Sequence, residues 1–498
     1  MIDIVFNKKE FEYDAYTLIK AFYPQEEVSI LYEGEEKTEA FQEKEEAFLV
    51  VKITYNKEDT RLEVLKNKET VFEETIFLAS DDERKERKNK LKQALYRGLS
   101  KETKKVLPWG DLTGIRPTKI AMGLIESGMS NVETAEFMRN TYYTSNEKTA
   151  LAITIANRER ALLADIDYKN GYSLYVGIPF CPSICLYCSF SSYPLAKWRN
   201  KVDAYLDALC KELTYIGETM KVRTLDTIYI GGGTPTTLEP EQLERLLSHI
   251  ECCFPTREVK EYTIEAGRPD SITREKLEVI RKYPVTRISV NPQTMNQATL
   301  DLIGRRHTVE DTRHAFALAR ECGFDNINMD LIVGLPGECA KDVQKTLEEV
   351  KKMEPDSLTV HSLAIKRATS LHLFQDRYQE MSFENNQEIM DMAMNCAREC
   401  GMGPYYLYRQ KNMSGNLENV GYAKEDKAGI YNILIMEEKQ SIIAAGASTK
   451  FVFEDGARIE RAENVKDVTN YIFRIDEMIE RKRSGLKKYL EIGSAQDE

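Results

Sequence analysis

No stretch of about 18 consecutive apolar residues occurs in the 498-residue chain, so nothing in it reads as a membrane-spanning helix. Its opening, MIDIVFNKKEFEYD, lacks the basic segment and apolar core of a secretory signal, and a cytoplasmic location is expected. Positive charge is in short supply: 69 Lys and Arg against 81 Asp and Glu leave a formal net charge of −12. That total argues against a broad nucleic-acid surface, though not against a local basic patch. Compositional bias of the disordered kind is absent, and 42% apolar residues over this length imply a globular chain of roughly three units. Cysteine is sparse, with 10 residues, most of them scattered. Cys252 and Cys253 are adjacent, and Cys396 and Cys400 lie one turn apart on an expected helix. No His or further Cys joins Cys396 and Cys400 at ligand spacing, so a buried helix is the simpler reading there. A reducing compartment suits such thiols.

Three of the ten cysteines are different. In YVGIPFCPSICLYC a short apolar run, Tyr175 to Phe180, delivers Cys181, Cys185 and Cys188 at CxxxCxxC spacing onto one loop. For this composition the spacing has a chance expectation of about 0.004, low enough to treat it as selected. A cubane 4Fe-4S cluster is normally held by four cysteines. A loop offering three, with no fourth nearby, leaves one iron open to another ligand. The alternatives are a zinc site, which usually completes four N or S ligands, or three unrelated buried cysteines.

Around this loop the chain divides into residues 1–105, a small α/β accessory domain; 106–170, a helical linker; 171–365, a core; and 366–498, a C-terminal α+β region. In the first part MIDIVF, VSILYEG, AFLVVKITY and ETVFEETIFLA alternate as strands, with a helix near YDAYTLIKAFY. Ser80, Asp81, Asp82 and Glu83 supply a capping box for a charged helix running to about Leu99. In the linker Trp109, Arg116 and Lys119 are candidate contacts for an anion, or else Gly110, Gly114 and Pro117 shape a turn.

The core shows six strand–helix units, with strands SLYVGIPF, DTIYIGG, EYTIEA, TRISVNP, NINMDLIVG and SLTVHSL. Six consecutive units predict a parallel sheet, too short to close an eight-unit barrel; the expected fold is α/β, a partial (β/α)6 barrel with its functional groups at the carboxyl ends of the strands. Those ends carry the cysteine loop, then Gly231-Gly232-Gly233-Thr234-Pro235, Glu265, Asn291 and Gln293, Asp330, and His361 to Ala364. A glycine run lets backbone amides approach a ligand closely. Any one polar strand end is ordinary; their convergence on one rim makes a site.

From Leu174 to Ile365 the chain resembles the catalytic domain of the oxygen-independent coproporphyrinogen III oxidase (coproporphyrinogen dehydrogenase) family of radical S-adenosylmethionine (SAM) enzymes, and its full length is most similar to the HemZ-type branch. The stretches carrying the resemblance are YVGIPFCPSICLYC, YIGGGTPT, TIEAGRPD, RISVNPQTMN, LIGRRH and NMDLIVGLPGE. It implies that Cys181, Cys185 and Cys188 bind a 4Fe-4S cluster whose open iron takes SAM. It implies further that Tyr175, Gly232 and Glu265 hold the first SAM, and that Tyr187, Gly233, Thr234, Gln293, Arg305, Asp330 and Ala364 contact a second. Two departures stand out: Gly177 replaces the family's usual histidine, and Ser189-Phe190 replaces a common CxC extension after Cys188. Related heme chaperones carry HNxxYW where this chain reads Gly415-Asn416-Leu417-Glu418-Asn419-Val420, which weakens a heme-carrier reading.

The C-terminal region is expected to close the open side of the barrel, with strand-like alternation in AGIYNILIMEEKQSIIAAGASTKFVFEDG and a charged helix from Val465 to about Arg483. Tyr405, Tyr406, Tyr408 and Arg409 make a stacking and guanidinium set suited to a flat carboxylate-bearing ligand, or are ordinary core aromatics. The resemblance implies a ferredoxin or flavodoxin electron donor, reductive cleavage of SAM to a 5'-deoxyadenosyl radical, and hydrogen abstraction from a propionate of coproporphyrinogen III. Loss of carbon dioxide and one electron then leaves a vinyl group, and two rounds give protoporphyrinogen IX in heme biosynthesis. Such a tetracarboxylate needs a local basic pocket, for which Arg268, Arg409 and Arg305 are the candidates, Arg305 being also the position that the resemblance gives to the second SAM. A monomer is expected, with no nucleic-acid partner.

Overall fold

Apolar alternation at the N-terminus builds a five-stranded sheet in the order β2-β1-β3-β4-β5, from β1 (Ile2–Phe6), β2 (Val28–Tyr32), β3 (Leu49–Tyr55), β4 (Asp59–Lys66) and β5 (Glu69–Phe77). β1 runs parallel to both β2 and β3, and the helix Glu12–Phe22 makes the crossover that a parallel pair requires. Ile2, Ile4, Phe6, Val51, Ile53, Leu62 and Val64 pack against Leu18, Phe22, Leu91, Leu95 and Leu99. β4 has no counterpart among the expected strands: Asp59, Arg61 and Glu63 face outward with their charges, but Thr60, Leu62 and Val64 alternate inward. The following helix starts at Arg84 after Glu83, which makes no side-chain cap bond; Ser80, Asp81 and Asp82 lie outside the described residues. Trp109 is wholly buried among the core residues.

This computed structural model describes all residues except 35–46, 78–82, 115, 365–368, 370–384, 411–416, 454–455, 457 and 495–498. Contacts gather the chain into two compact units, Met1–Ala156 and Asn157–Glu498. Most of the expected linker thus belongs with the N-terminal sheet, and the expected C-terminal region belongs with the core, because its strands join the core sheet.

That sheet begins with β6 (Gly171–Ile178). Two short strands, β7 (Phe180–Cys181) and β8 (Tyr193–Pro194), pair in parallel and bracket the cysteine loop. β9 (Thr224–Gly232), β10 (Glu261–Gly267), β11 (Arg287–Val290), β12 (Ile327–Val333) and β13 (Ser357–Ser362) then follow β6 in sequence order, all parallel. They are buried on both faces, as strands flanked by helices must be. The intervening helices present apolar stripes; in Pro240–Cys253 the buried residues are Leu243, Leu246, Leu247 and Ile250.

The C-terminal residues extend this sheet at both edges. Beyond β13 lie β15 (Asn419–Ala423) and, outermost, β14 (Gly403–Tyr408), both pairings antiparallel. Beyond β6, β16 (Ser441–Ala445) adds a seventh parallel strand, followed by β17 (Thr449–Phe453) and β18 (Arg458–Ala462) in antiparallel order. Two expectations change here. IYNILIME, expected to be strand-like, is the helix Ile430–Glu437, because an almost wholly apolar run carries no readable period. The expected C-terminal helix is two, Val468–Phe473 and Ile475–Ser494, broken at Arg474.

Candidate functional site

The cysteine loop, the glycine run, Glu265, Asn291, Gln293 and His361 to Ala364 lie at the carboxyl ends of β6, β9, β10, β11 and β13, whereas Asp330, expected at the end of its strand, is the middle residue of β12. The cysteine loop leaves β7 and is tied down at several points. Leu186 N–H donates to Ile303 O (2.9 Å), Ser183 Oγ to Gly304 O (2.9 Å), and Cys188 N–H to Cys185 O (3.1 Å). The glycine run presses against it: Gly233 N–H donates to Ile178 O and Thr234 N–H to Phe180 O, both at 2.7 Å, and Thr234 Oγ1 reaches Cys181 Sγ at 3.6 Å. A Cβ on Gly233 would stand 2.5 Å from Phe180 O and 3.0 Å from Cys181 Sγ, so only glycine permits this approach. Gly232 has φ +109°, a conformation that side chains oppose.

None of the three cysteines is in a disulfide, and Cys185 is buried. Burial pushes the Cys181 thiol up to about 11; Thr234 eases it down, and the neighbouring Cys188 and Cys185 sulfurs push it further up. Among the described residues no three His, Cys, Asp or Glu side chains converge on one metal ion. Three thiol donors on one loop are the set that an iron-sulfur cluster with one open iron takes, whereas a structural zinc usually completes four N or S ligands.

Beside the loop lies a buried polar group. Glu265 on β10 accepts hydrogen bonds from the Tyr229 hydroxyl and from Gly232 N–H. Burial pushes its carboxyl up to about 7, the nearby Asp330 adds to this, and Tyr229, Gly232 and Arg287 oppose it. Tyr175 stacks on Tyr229 (6.2 Å between centroids) and on Tyr431 (6.3 Å), which themselves stack at 4.3 Å. Asp330 accepts from Asn328 Nδ2 (2.7 Å) and has His361 Nε2 at 3.9 Å. Its burial is outweighed by His361 and Asn328, which hold it below the usual carboxylate range. Asp330 N–H donates to Asn291 Oδ1 (3.2 Å), and Gln293, at φ +66°, donates its N–H to Asp330 O (3.0 Å). Arg305 donates to Asn291 O (2.6 Å) and to the Tyr187 hydroxyl (3.2 Å). Tyr187 packs on Leu300, Ile303, Ile332, Leu335 and Leu363. Ala364 is half-buried just past β13.

Gly177, where the family has histidine, faces the seventh strand. A Cβ there would meet Gly446 O at 3.0 Å, and Tyr205 donates its hydroxyl to Gly177 O at 2.6 Å.

The two arginines assigned to the substrate alone are both buried. Arg268 is 4% exposed and forks onto Asp270 through Nε (2.8 Å) and Nη2 (2.7 Å), while Nη1 donates to Ser183 Oγ (3.1 Å) and Cys185 Sγ (3.5 Å). Arg409 is equally buried, its guanidinium pushed down to about 10 by burial with Glu418 opposing. Nor do the tyrosines form one platform, because side chains alternate along β14. Tyr406 and Tyr408 stack at 6.3 Å, with the Tyr408 hydroxyl 3.4 Å from His361 Nδ1, whereas the Tyr405 hydroxyl meets Asn432 Nδ2 (3.3 Å). Gly415 and Asn416 lie outside the described residues. Sequence reasoning missed Tyr229, Tyr431, Arg287 and Asp270. Period-2 alternation from Gly231 would have found Tyr229; Tyr431 comes from a distant helix and left no local signal.

Residues 175–350 match the Radical SAM superfamily model. The chain is 39% identical over 479 residues, 94% of each chain, to the oxygen-independent coproporphyrinogen-III oxidase-like protein HemZ of Bacillus subtilis. It is 34% identical over 238 residues to the heme chaperone HemW of Bacillus subtilis, covering 47% of this chain and 62% of that one. Among solved structures, the coproporphyrinogen III oxidase HemN from Escherichia coli, a radical SAM enzyme, shares the fold with a TM-score of 0.51 and 24% identity, over 64% of this chain and 72% of that one. The chain belongs to the radical SAM superfamily and, within it, to the family of oxygen-independent coproporphyrinogen III oxidase-like proteins that includes HemZ.

Proposed function

We propose that the protein oxidatively decarboxylates two propionates of coproporphyrinogen III to vinyls without oxygen. The observation that carries this reading is the 39% identity, across 94% of both chains, to a coproporphyrinogen-III oxidase-like protein. The meeting of three thiols, the glycine run and Glu265 on one rim supports it. The superfamily's cofactors are a 4Fe-4S cluster and SAM, which together supply the one-electron chemistry for abstracting hydrogen from an unactivated carbon. Cys181, Cys185 and Cys188 would hold the cluster. Glu265, once ionised, suits the ammonium of SAM, and Gly232 offers backbone at close range beside the Tyr175 ring. Tyr187, Gly233, Thr234, Gln293, Arg305, Asp330 and Ala364 would serve a second SAM. Within the larger unit we assign catalysis to residues 171–365 and substrate cover to 366–498. A small ferredoxin or flavodoxin is the electron donor in this reading, and cytoplasmic location its setting; among the described residues no helix is long and apolar enough to cross a membrane.

The likeness to HemW favours a second reading, a non-enzymatic heme chaperone. Anaerobic incubation of the reconstituted protein with SAM, reductant and coproporphyrinogen III, followed by mass analysis, separates the two. Loss of two carboxyl groups supports the decarboxylase. Unaltered tetrapyrrole with tight heme binding supports the chaperone, and any other mass change points to a different radical reaction. Single Cys181→Ala, Cys185→Ala and Cys188→Ala variants should each lose the brown chromophore, whereas Cys396→Ala should keep it. Iron retained in all three would sink the assignment.

A further inference from the structure

Arg268 leaves the end of β10 directly after Gly267, whose φ of +54° turns the chain toward the cysteine loop. Its guanidinium spans two segments: Asp270 on its own turn takes Nε and Nη2, and the loop's Ser183 Oγ and Cys185 Sγ take Nη1. The side chain is 5% exposed, so its charge acts through a medium of low polarisability. Arginine cannot be neutralised in a protein. His307 nearby adds no competing charge, since burial and Arg305 push it down to about 3.

We propose that Arg268 is a positioning residue for the cluster, aiming the Cys185 sulfur and raising the cluster's reduction potential through a charge-assisted N–H···S bond. The inference rests on the reading of the three cysteines as cluster ligands. Hydrogen bonds to cluster sulfurs and local charge are the levers by which a protein sets such potentials. On reduction one electron passes from an external low-potential carrier to the cluster, whose charge becomes more negative by one. No proton moves, because Arg268 stays protonated in both states. A fixed cation at the sulfur favours the more negative state, while Asp270 tempers that cation and fixes its direction.

The test is an electron-paramagnetic-resonance redox titration of the full-length reconstituted protein, with dithionite as reductant. Arg268→Gln should shift the reduction equilibrium about tenfold toward the oxidised cluster, 59 mV for a one-electron couple. Arg268→Lys, which restores the charge without the fork, should recover part of that shift. An Arg268→Gln protein with wild-type iron content and an unmoved midpoint overturns the proposal. If Arg268→Gln fails to retain iron, Asp270→Asn decides: it leaves the arginine on the sulfur without its counter-charge, and the midpoint should rise. A midpoint that stays or falls in that variant overturns the proposal. A wild-type protein that takes up no cluster overturns the underlying reading, and this inference with it.

Discussion

Glu265 shows how one side chain couples site and stability. Its carboxyl is pushed from the ordinary 4.5 up to about 7, chiefly by burial. Between those values the folded state holds a proton that the unfolded chain has released, so stability falls as pH rises through that window. Glu265→Gln should therefore stabilise the SAM-free protein at pH 8, by up to about 3 kcal/mol, and change little at pH 4.5. Chemical denaturation at the two pH values checks this. SAM affinity should run the other way, tightening from pH 6 to 8 as the carboxylate forms, with the dependence abolished in Glu265→Gln; calorimetric titration reads it. Glu265 itself was legible as a strand end. The reassignment of Arg268 was not, because its partners Ser183 and Cys185 stand 85 and 83 positions away. Nothing in TIEAGRPD distinguishes an arginine that faces a ligand from one that backs a cysteine.

At the level of elements, the glycines mark where strands and loops touch. Gly233→Ala would force a methyl to within 2.5 Å of Phe180 O and 3.0 Å of Cys181 Sγ. We expect a loss of about 1–3 kcal/mol and a cluster released more readily to a chelator, followed by loss of visible absorbance. Gly446, at φ +70°, lies against Gly177, and a Cβ on it would meet the Tyr205 hydroxyl at 2.4 Å and Gly177 O at 2.7 Å. Restoring the family histidine as Gly177→His should accordingly lower the melting temperature instead of recovering a function. The glycine run was readable as a close-approach element from its place after a strand. The constraint on Gly177 was not, since it arises from β16, which inserts beside β6 from the far end of the chain.

Across the larger unit, a buried ion pair ties the C-terminal helix to the core. Lys482 Nζ donates to Glu212 Oε1 (2.5 Å), and Glu212 Oε2 accepts from the Tyr471 hydroxyl (2.6 Å) and from Gly446 N–H (2.7 Å). Neither charged side chain is more than 1% exposed. Lys482→Met leaves Glu212 buried without its counter-ion and should cost about 3–5 kcal/mol in urea unfolding, with Glu212→Gln/Lys482→Met recovering much of that loss. Because Gly446 donates its N–H to Glu212 in that network and abuts Gly177, the damage should also reach the strand that leads to the cysteines. By itself the sequence determined the parallel order of six strands, the cysteine loop and the polar strand ends, because each is written in a few consecutive residues or in a repeating period. Only the tertiary structure decided that Tyr431 stacks on Tyr175 and Tyr229, that Arg268 and Arg409 are buried, and that β16 lies beside β6. Those facts depend on which distant surfaces exclude water together, and no local pattern in the chain records that.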